Sequence, residues 1–162
     1  MNKLGINNKY KMKEIEYYLF NIKHHIIDEN YNFNEENIFD VKYLEKIHLF
    51  LFNDIYEEED CKIRKEISEE GLIKINKKLK EIKDMIYFYD PKEMREKINY
   101  IWEQQIFYDG NTRTLLCYLK ILSKAFNFEI NYDFTKDIEK DYFINEVLDE
   151  IYNEENKTKI KR

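Results

Sequence analysis

The sequence predicts an all-α domain: a bundle of about six helices with one small β-hairpin. Only three glycines and one proline occur in 162 residues, and so few helix breakers favour long helices joined by short turns. Aromatic residues make up 16% of the chain, which is typical of a folded domain because disordered chains contain few aromatics. The length fits a single domain over residues 1–162, with a core over about residues 11–152 and a frayed basic tail over residues 153–162.

Two helices are predicted in the first third of the chain, over residues 11–29 and from Val41 onward. The polar stretch between them indicates a loop, with Asn37 or Asp40 as a helix cap. The acidic run 57–60 ends the second helix. Apolar residues at helical spacing define the two stripes: Ile15, Leu19, Ile22, Ile26, Val41, Leu44, Ile47, Leu51 and Ile55.

Residues 61–75 allow two interpretations. Apolar residues flank the polar turn 68–71, and a short hairpin fits if Gly71 supplies a positive φ. The competing interpretation is a continuous helix. From about Asn76 the helical spacing returns, with Leu79, Ile82 and Ile86 on one face.

The rest of the chain predicts three more helices. Asp90 and Pro91 form a helix start, since Asp is a good N-cap and Pro suits the first helical position. The pattern breaks at residues 109–111, and a last helix follows Thr135. The three stripes are Met94, Ile98, Ile101 and Gln105; Leu115, Leu119, Leu122 and Phe126; and Ile144, Val147, Leu148 and Ile151.

Composition argues against several function classes. The formal net charge of −6 disfavours nucleic acid as the partner, since phosphate neutralisation needs a basic surface. No apolar run suggests a membrane span or a signal peptide, so we expect a cytoplasmic protein without a membrane partner. Cys61 and Cys117 are predicted to be free thiols, because they form neither a disulfide framework nor a zinc-ligand spacing.

The segment 105–114 is the part of the sequence most suggestive of chemistry. It predicts a tight turn that leads into a helix N-terminus, where free N–H groups and the helix dipole attract an anion. Gly110 would let the backbone approach a ligand closely, and Arg113 would supply donors suited to phosphate. Asp109 is a candidate ligand for Mg²⁺ between two phosphates. The alternative is an ordinary helix–turn–helix capped by Asp and Asn.

Five residues of this segment match, in register, the signature of a known family. The signature is His-x-Phe-x-Asp/Glu-Gly-Asn-Gly-Arg-x-x-Arg, and the matching residues are Phe107, Asp109, Gly110, Asn111 and Arg113. Residues 2–6 resemble the short opening of the same family, residues 45–56 its early helix, and Ile63-Arg64 the entrance to its flap hairpin. The chain thus resembles Fic-domain proteins over nearly its whole length. The alternative is an unrelated helical bundle in which the motif occurs by chance.

The resemblance implies an activity and a role for each matched residue. Fic proteins typically transfer AMP from ATP to a Ser, Thr or Tyr hydroxyl of a target protein (AMPylation), with Mg²⁺ as cofactor. Residues 65–75 would form the flap, which binds a target segment by strand addition. The implied site comprises Gln105 at the position of the general-base His, Phe107 as loop anchor, Asp109 on Mg²⁺, and Gly110, Asn111, Thr112 and Arg113 on the phosphates.

Three residues depart from the family pattern. Gln105 replaces the His, and because an amide cannot accept a proton near neutral pH, the loss of a general base is expected to slow transfer about 10²–10⁴-fold. Thr112 replaces the second glycine of the motif, and Leu116 replaces its second Arg. The family's inhibitory motif is only partly matched at residues 135–139, so an inhibitor would be a separate, antitoxin-like protein.

Two functional hypotheses follow. The first is a Fic-type adenylyltransferase scaffold whose activity is impaired or lost through Gln105. The second is a non-catalytic protein-interaction module, an inactive toxin-like subunit.

Among the remaining residues, we expect His48 to be a hydrogen-bonded structural histidine, His24 and His25 to lie at the surface, and Trp102 to belong to the core.

Overall fold

The computed structural model describes residues 2–29, 37–87 and 91–127 of the chain. They form α1 (Lys9–Glu29), α2 (Val41–Phe52), a 3₁₀ turn (Glu58–Cys61), α3 (Glu69–Tyr87), α4 (Pro91–Glu103) and α5 (Asn111–Phe126). Within these ranges no strand is present, apart from an isolated antiparallel bridge between Asn2 and Tyr56. The all-α prediction is therefore confirmed for this part of the chain. The predicted helix after Thr135 and the basic tail lie outside the described residues.

Helix α5 is the centre of the bundle. Its side chains are buried on every face, as expected for a helix that other elements surround; the apolar members are Leu115, Leu116, Cys117, Tyr118, Leu119, Ile121 and Leu122. Tyr118 packs edge-on against Tyr43 of α2 at a ring-centroid distance of 6.2 Å, and its hydroxyl donates to the Ile38 carbonyl at 2.8 Å. Helices α1, α2 and α4 all contact α5.

Helices α3 and α4 form a closely packed antiparallel pair. Lys97 of α4 pairs with Glu81 of α3 at 2.8 Å, and the predicted core residues Leu79 and Ile82 are fully buried. Asp90, the predicted N-cap of α4, lies outside the described residues. The cap at α2 is confirmed: the Asp40 side chain accepts a hydrogen bond from the Lys42 N–H at 2.8 Å.

The hairpin predicted for residues 61–75 is wrong, because α3 begins at Glu69, earlier than the restart near Asn76. Ser68 Oγ accepts from the Gly71 N–H at 3.0 Å, and Glu69 and Glu70 lie in the first turn of the helix. A hydroxyl cap followed by acidic residues is a helix start. The polar turn is therefore an N-cap, and Gly71 is helical rather than a residue of positive φ.

The apolar stripe that spacing identifies on α1 is not the most buried face of that helix. Its inward face consists of Glu16, Phe20, Lys23 and His24, all buried, whereas the predicted stripe residues Ile22 and Ile26 are each 41% exposed. The inward charges have partners on other elements: the Lys23 ammonium contacts Asn53 Oδ1 at 2.8 Å and Asp54 at 2.6 Å. Buried charges are tolerated when they are paired in this way. His24 is thus buried, against expectation, while His25 is exposed as predicted.

In the part of the chain that the structure describes, no helix is long and apolar enough to cross a membrane.

Candidate functional site

A polar cleft of about 240 Å³ lies where the loop between α4 and α5 faces α1. Six of the seven predicted site residues line it: Gln105, Asp109, Gly110, Asn111, Thr112 and Arg113. Helix α1 contributes Lys13, Glu16 and Tyr17 as the opposite wall. The seventh residue, Phe107, lies beneath the loop and is 2% exposed.

Two side chains shape the loop from within. The Asn111 amide accepts from the Phe107 N–H at 2.9 Å and donates to the Phe107 carbonyl at 2.8 Å. The Phe107 ring stacks on the His48 ring with centroids 4.0 Å apart, which fixes the loop to α2. Both ends of the Asn111 side chain are thus engaged inside the loop, so the side-chain amide serves the shape of the loop.

Gly110 occupies a position that excludes any side chain. Its φ is +78°, and a Cβ built on it would lie 2.4 Å from two carbons of the Phe52 ring. The backbone must therefore come very close to Phe52 in a left-handed conformation, and glycine meets both demands. The sequence interpretation attributed this glycine to ligand approach, whereas the close approach in the structure is to the core.

The N-terminus of α5 opens into the cleft. Gly110 is the N-cap and offers no side chain to the first amides, while Asp109 Oδ1 accepts from the Gly110 N–H at 2.8 Å instead of capping the helix. The first intrahelical bond runs from the Thr114 N–H to the Gly110 carbonyl at 3.0 Å. The amides of residues 111–113 precede that bond, and with the helix dipole they form an anion-binding group.

Arg113 is held at the edge of the cleft by groups that sequence reasoning missed. Its Nη2 lies 3.2 Å from Glu16 Oε2, with side chains only 12% and 9% exposed, and its guanidinium lies 4.7 Å above the centre of the Phe52 ring. The Tyr56 hydroxyl donates to the other Glu16 oxygen at 2.5 Å. Burial, assisted by Glu16, raises the pKa of the Tyr56 hydroxyl, so Tyr56 stays a donor. No local pattern marks Glu16, which is 97 residues from Arg113.

Gln105 lies just beyond α4 in a left-handed conformation, with φ of +46°. Its predicted place on the buried face of α4 is therefore wrong: Ile98 and Ile101 are buried there, but Gln105 is exposed. Its amide donates to the Trp102 carbonyl at 2.8 Å and accepts from Asn111 Nδ2 at 3.2 Å. The side chain at the predicted general-base position thus takes part in the hydrogen bonds of the loop.

Arg64 holds this strained backbone in place. Its Nε donates to the Gln105 carbonyl at 2.5 Å, its Nη2 donates to the Gln104 carbonyl at 3.2 Å, and its backbone N–H donates to the Ile106 carbonyl at 2.9 Å. Three successive carbonyls at the end of α4 are thereby satisfied by one residue. The sequence placed Arg64 only at the start of a flap, so this role was not predicted.

Trp102 and Thr112 connect the two sides of the loop. The indole N–H donates to Thr112 Oγ1 at 2.9 Å, so the β-branched residue at the second glycine position serves as an acceptor. Trp102 is half-buried: it packs against the core, as the sequence predicted, and it also lines the cleft. Leu116, at the position of the second Arg, is fully buried beside α5's other core residues.

Two other residues near the loop are poorly placed to act as a base. His48 is 3% exposed, and both ring nitrogens face backbone carbonyls, of Cys61 at 2.9 Å and of Asp109 at 2.7 Å. Burial lowers the pKa of His48, and its role is structural, as predicted. The Tyr108 hydroxyl donates to Glu66 at 2.9 Å, and this hydrogen bond raises the pKa of Tyr108.

The donor set fits Mg²⁺ only together with a phosphate ligand. Among the described residues, no group of three or more His, Cys, Asp and Glu side chains could hold a metal ion. The Asp109 side chain is 67% exposed, and its Oδ2 lies 3.9 Å from Arg113. One carboxylate suffices for Mg²⁺ that keeps several waters and takes its other ligands from a nucleotide.

Comparison with known proteins leaves the family unassigned, since no protein-family model and no curated protein matches this chain. The resemblance to Fic-domain proteins therefore stays a prediction made from the residues quoted above.

Proposed function

We propose that this cleft binds the phosphates of ATP together with Mg²⁺, and that the chain is a Fic-type adenylyltransferase scaffold. The reaction would be transfer of AMP to a Ser, Thr or Tyr hydroxyl of a target protein, impaired or lost through Gln105. One observation supports this proposal above the others. The first turn of α5 opens into a cleft that also contains Asp109 and Arg113, and amides, a guanidinium and a carboxylate are the groups that a Mg²⁺-nucleotide needs.

Each group would have a separate task. The amides of residues 111–113 would bind phosphate oxygens, and Arg113 would add charge-assisted hydrogen bonds. Asp109 would hold Mg²⁺, which when bound neutralises phosphate charge. Glu16 already pairs with Arg113 at 3.2 Å, so a phosphate must replace Glu16 or share the guanidinium with it.

Gln105 limits the chemistry. Its side chain lines the cleft but its amide cannot take a proton from an attacking hydroxyl near neutral pH. Binding and transfer are thus expected to separate: the nucleotide binds, while transfer is about 10²–10⁴-fold slower than with a competent base.

Binding is measurable through Trp102, the only tryptophan in the chain and a lining residue of the cleft. Titration with ATP and Mg²⁺ should change its fluorescence in the unaltered protein, and Asp109→Ala and Arg113→Ala should weaken binding at least about tenfold. Asp84→Ala, at an exposed carboxylate on α3, is the control and should bind normally. Equal affinity for ATP in all four proteins would show that Asp109 and Arg113 do not form the nucleotide site.

Transfer is tested with ATP labelled at the α-phosphate, in a lysate of the source cells. Label on a target protein with Gln105→His, and none with the unaltered chain, would support a scaffold that lacks only its base. Label with both would show that Gln105 supports transfer, and label with neither would argue against the reaction.

The second candidate is a non-catalytic interaction module. It is favoured by the burial of Leu116 and by the neutralisation of Arg113 by Glu16, since both reduce the charge available to a triphosphate. The variant Glu16→Gln separates the candidates: a nucleotide site should bind Mg²⁺-ATP more tightly once the competing carboxylate is removed. Failure of both this variant and the unaltered chain to bind nucleotide would favour the interaction module.

A further inference from the structure

A second cavity, of about 210 Å³, shares Tyr108 and Asp109 with the polar cleft but is otherwise formed by different residues. Two of its aromatic residues, His48 and Phe52, are buried, whereas Tyr108 is 59% exposed and the two acidic residues lie at the surface. The cavity therefore has an aromatic floor and an acidic rim that is open to solvent. We call it the aromatic pocket, and its lining residues are His48, Phe52, Tyr56, Asp60, Tyr108 and Asp109.

We propose that the aromatic pocket binds the cationic end of a Lys or Arg side chain from a partner polypeptide. A cation is attracted to the faces of aromatic rings, and the attraction grows where water is excluded. Asp60 and Asp109 add two carboxylates at the rim. Among the described residues, no ion pair engages the Asp60 carboxylate. The proposal does not depend on whether the polar cleft binds a nucleotide.

The hydrogen bonds of the two tyrosines strengthen this attraction. The Tyr56 hydroxyl donates to Glu16, and the Tyr108 hydroxyl donates to Glu66 at 2.9 Å. A phenol that donates a hydrogen bond to a carboxylate gains electron density on its ring, so the ring face becomes more attractive to a cation. The two tyrosine walls of the pocket are therefore better suited to a cation than isolated rings would be.

Two guanidinium groups near the pocket already have partners. Arg113 lies 4.7 Å above the centre of the Phe52 ring and pairs with Glu16 at 3.2 Å, so one aromatic ring of the pocket is already in contact with a cation. Arg64 donates to backbone carbonyls at the end of α4. Neither group neutralises Asp60, whose carboxylate remains available to an incoming cation.

The size of the aromatic pocket favours a single side chain over a larger ligand. Sites for drug-sized molecules typically enclose about 300–1,000 Å³, which is more than the volume of about 210 Å³ found in this pocket. A Lys or Arg side chain packs its apolar stem against other apolar groups while its charged end stays near water. The formal net charge of −6 on the whole chain also favours encounter with a basic polypeptide.

Amide shifts in a ¹H–¹⁵N spectrum of the full chain, recorded without nucleotide and Mg²⁺, test the proposal. The probe is the peptide acetyl-Gly-Lys-Gly-amide, and the matched peptide carries norleucine, which keeps most of the apolar stem and removes the charge. The Lys peptide should shift the amides of Asp60 and Tyr108 and bind at least about threefold more tightly than the norleucine peptide. Added salt should weaken the binding of the Lys peptide alone.

Variants separate the contributions of charge and ring. Asp60→Asn and Tyr108→Leu should each weaken binding of the Lys peptide at least about twofold, and Tyr108→Phe, which keeps the ring, should weaken it less than Tyr108→Leu. Glu58→Gln is the matched control, because Glu58 is exposed on the same 3₁₀ turn as Asp60 but does not line the pocket. It should leave the affinity unchanged.

Several outcomes would overturn the proposal. Equal affinity for the Lys and norleucine peptides would show that the pocket does not recognise a cation. An equal loss with Glu58→Gln and Asp60→Asn would assign binding to the general negative charge of the chain. Butylammonium that binds as tightly as the Lys peptide would assign the pocket to a small organic cation instead. An amide spectrum that is unchanged outside the pocket verifies that each variant is folded.

Discussion

Gly110→Ala should destabilise the fold far more than an ordinary glycine replacement. Two costs combine: a non-glycine residue at φ of +78° costs about 1–2 kcal/mol, and a Cβ placed 2.4 Å from the Phe52 ring causes overpacking worth about 1–3 kcal/mol. We therefore expect a loss of about 2–5 kcal/mol in the free energy of unfolding, measured by urea denaturation followed through Trp102 fluorescence.

Gly5→Ala is the matched control, because Gly5 has φ of +64° but nothing within 4 Å of a built Cβ. It should show the backbone cost alone, about 1–2 kcal/mol. Combining Gly110→Ala with Phe52→Leu, which shortens the obstructing side chain, should recover at least about 1 kcal/mol relative to the sum of the single changes. If Gly110→Ala costs no more than Gly5→Ala, or if the double variant is additive, the contact with Phe52 does not explain the glycine.

Three further predictions concern residues around the site. Cys117 should resist alkylation in the native protein, because burial raises its pKa to about 12; at pH 8 only about one thiol in ten thousand is ionised, and mass spectrometry that finds rapid native labelling would contradict this. Arg64→Ala should speed amide exchange around Gln105, because two carbonyls lose their side-chain donor, whereas unchanged exchange would deny its role. Thr112→Val should cost about 1 kcal/mol and shift Trp102 emission, since the indole N–H loses its acceptor; an unaltered spectrum would argue against that bond.

Local signals in the sequence predicted part of the fold well. Asp40 is a cap because its side chain accepts a hydrogen bond from a backbone amide two residues away. Such an interaction depends only on residues that are close in sequence, so the sequence is enough to predict it. The turn at residues 109–111 and the start of α5 follow from the same kind of local pattern. The polar turn 68–71 misled us because hydroxyl and acidic residues suit both a turn and a helix start.

Long-range pairing explains what the sequence did not predict. Spacing identified an apolar stripe on α1, but the choice of inward face depends on Glu16 meeting Arg113 and on Lys23 meeting Asp54. No pattern within α1 specifies those partners. The same holds at the candidate site. The motif predicted the residues of the loop between α4 and α5, but it gave no indication of Glu16 and Arg64, which lie elsewhere in the chain.

The most direct test of the central claim is the change in ¹H–¹⁵N amide shifts when ATP and Mg²⁺ are added to the full chain. If the start of α5 binds the phosphates, the largest shifts should occur at the amides of residues 111–113, with a smaller response at the Trp102 indole. Omitting Mg²⁺ should reduce them, and Asp109→Ala should have the same effect. Saturating nucleotide that leaves these amides unmoved, or moves amides elsewhere instead, would contradict the account.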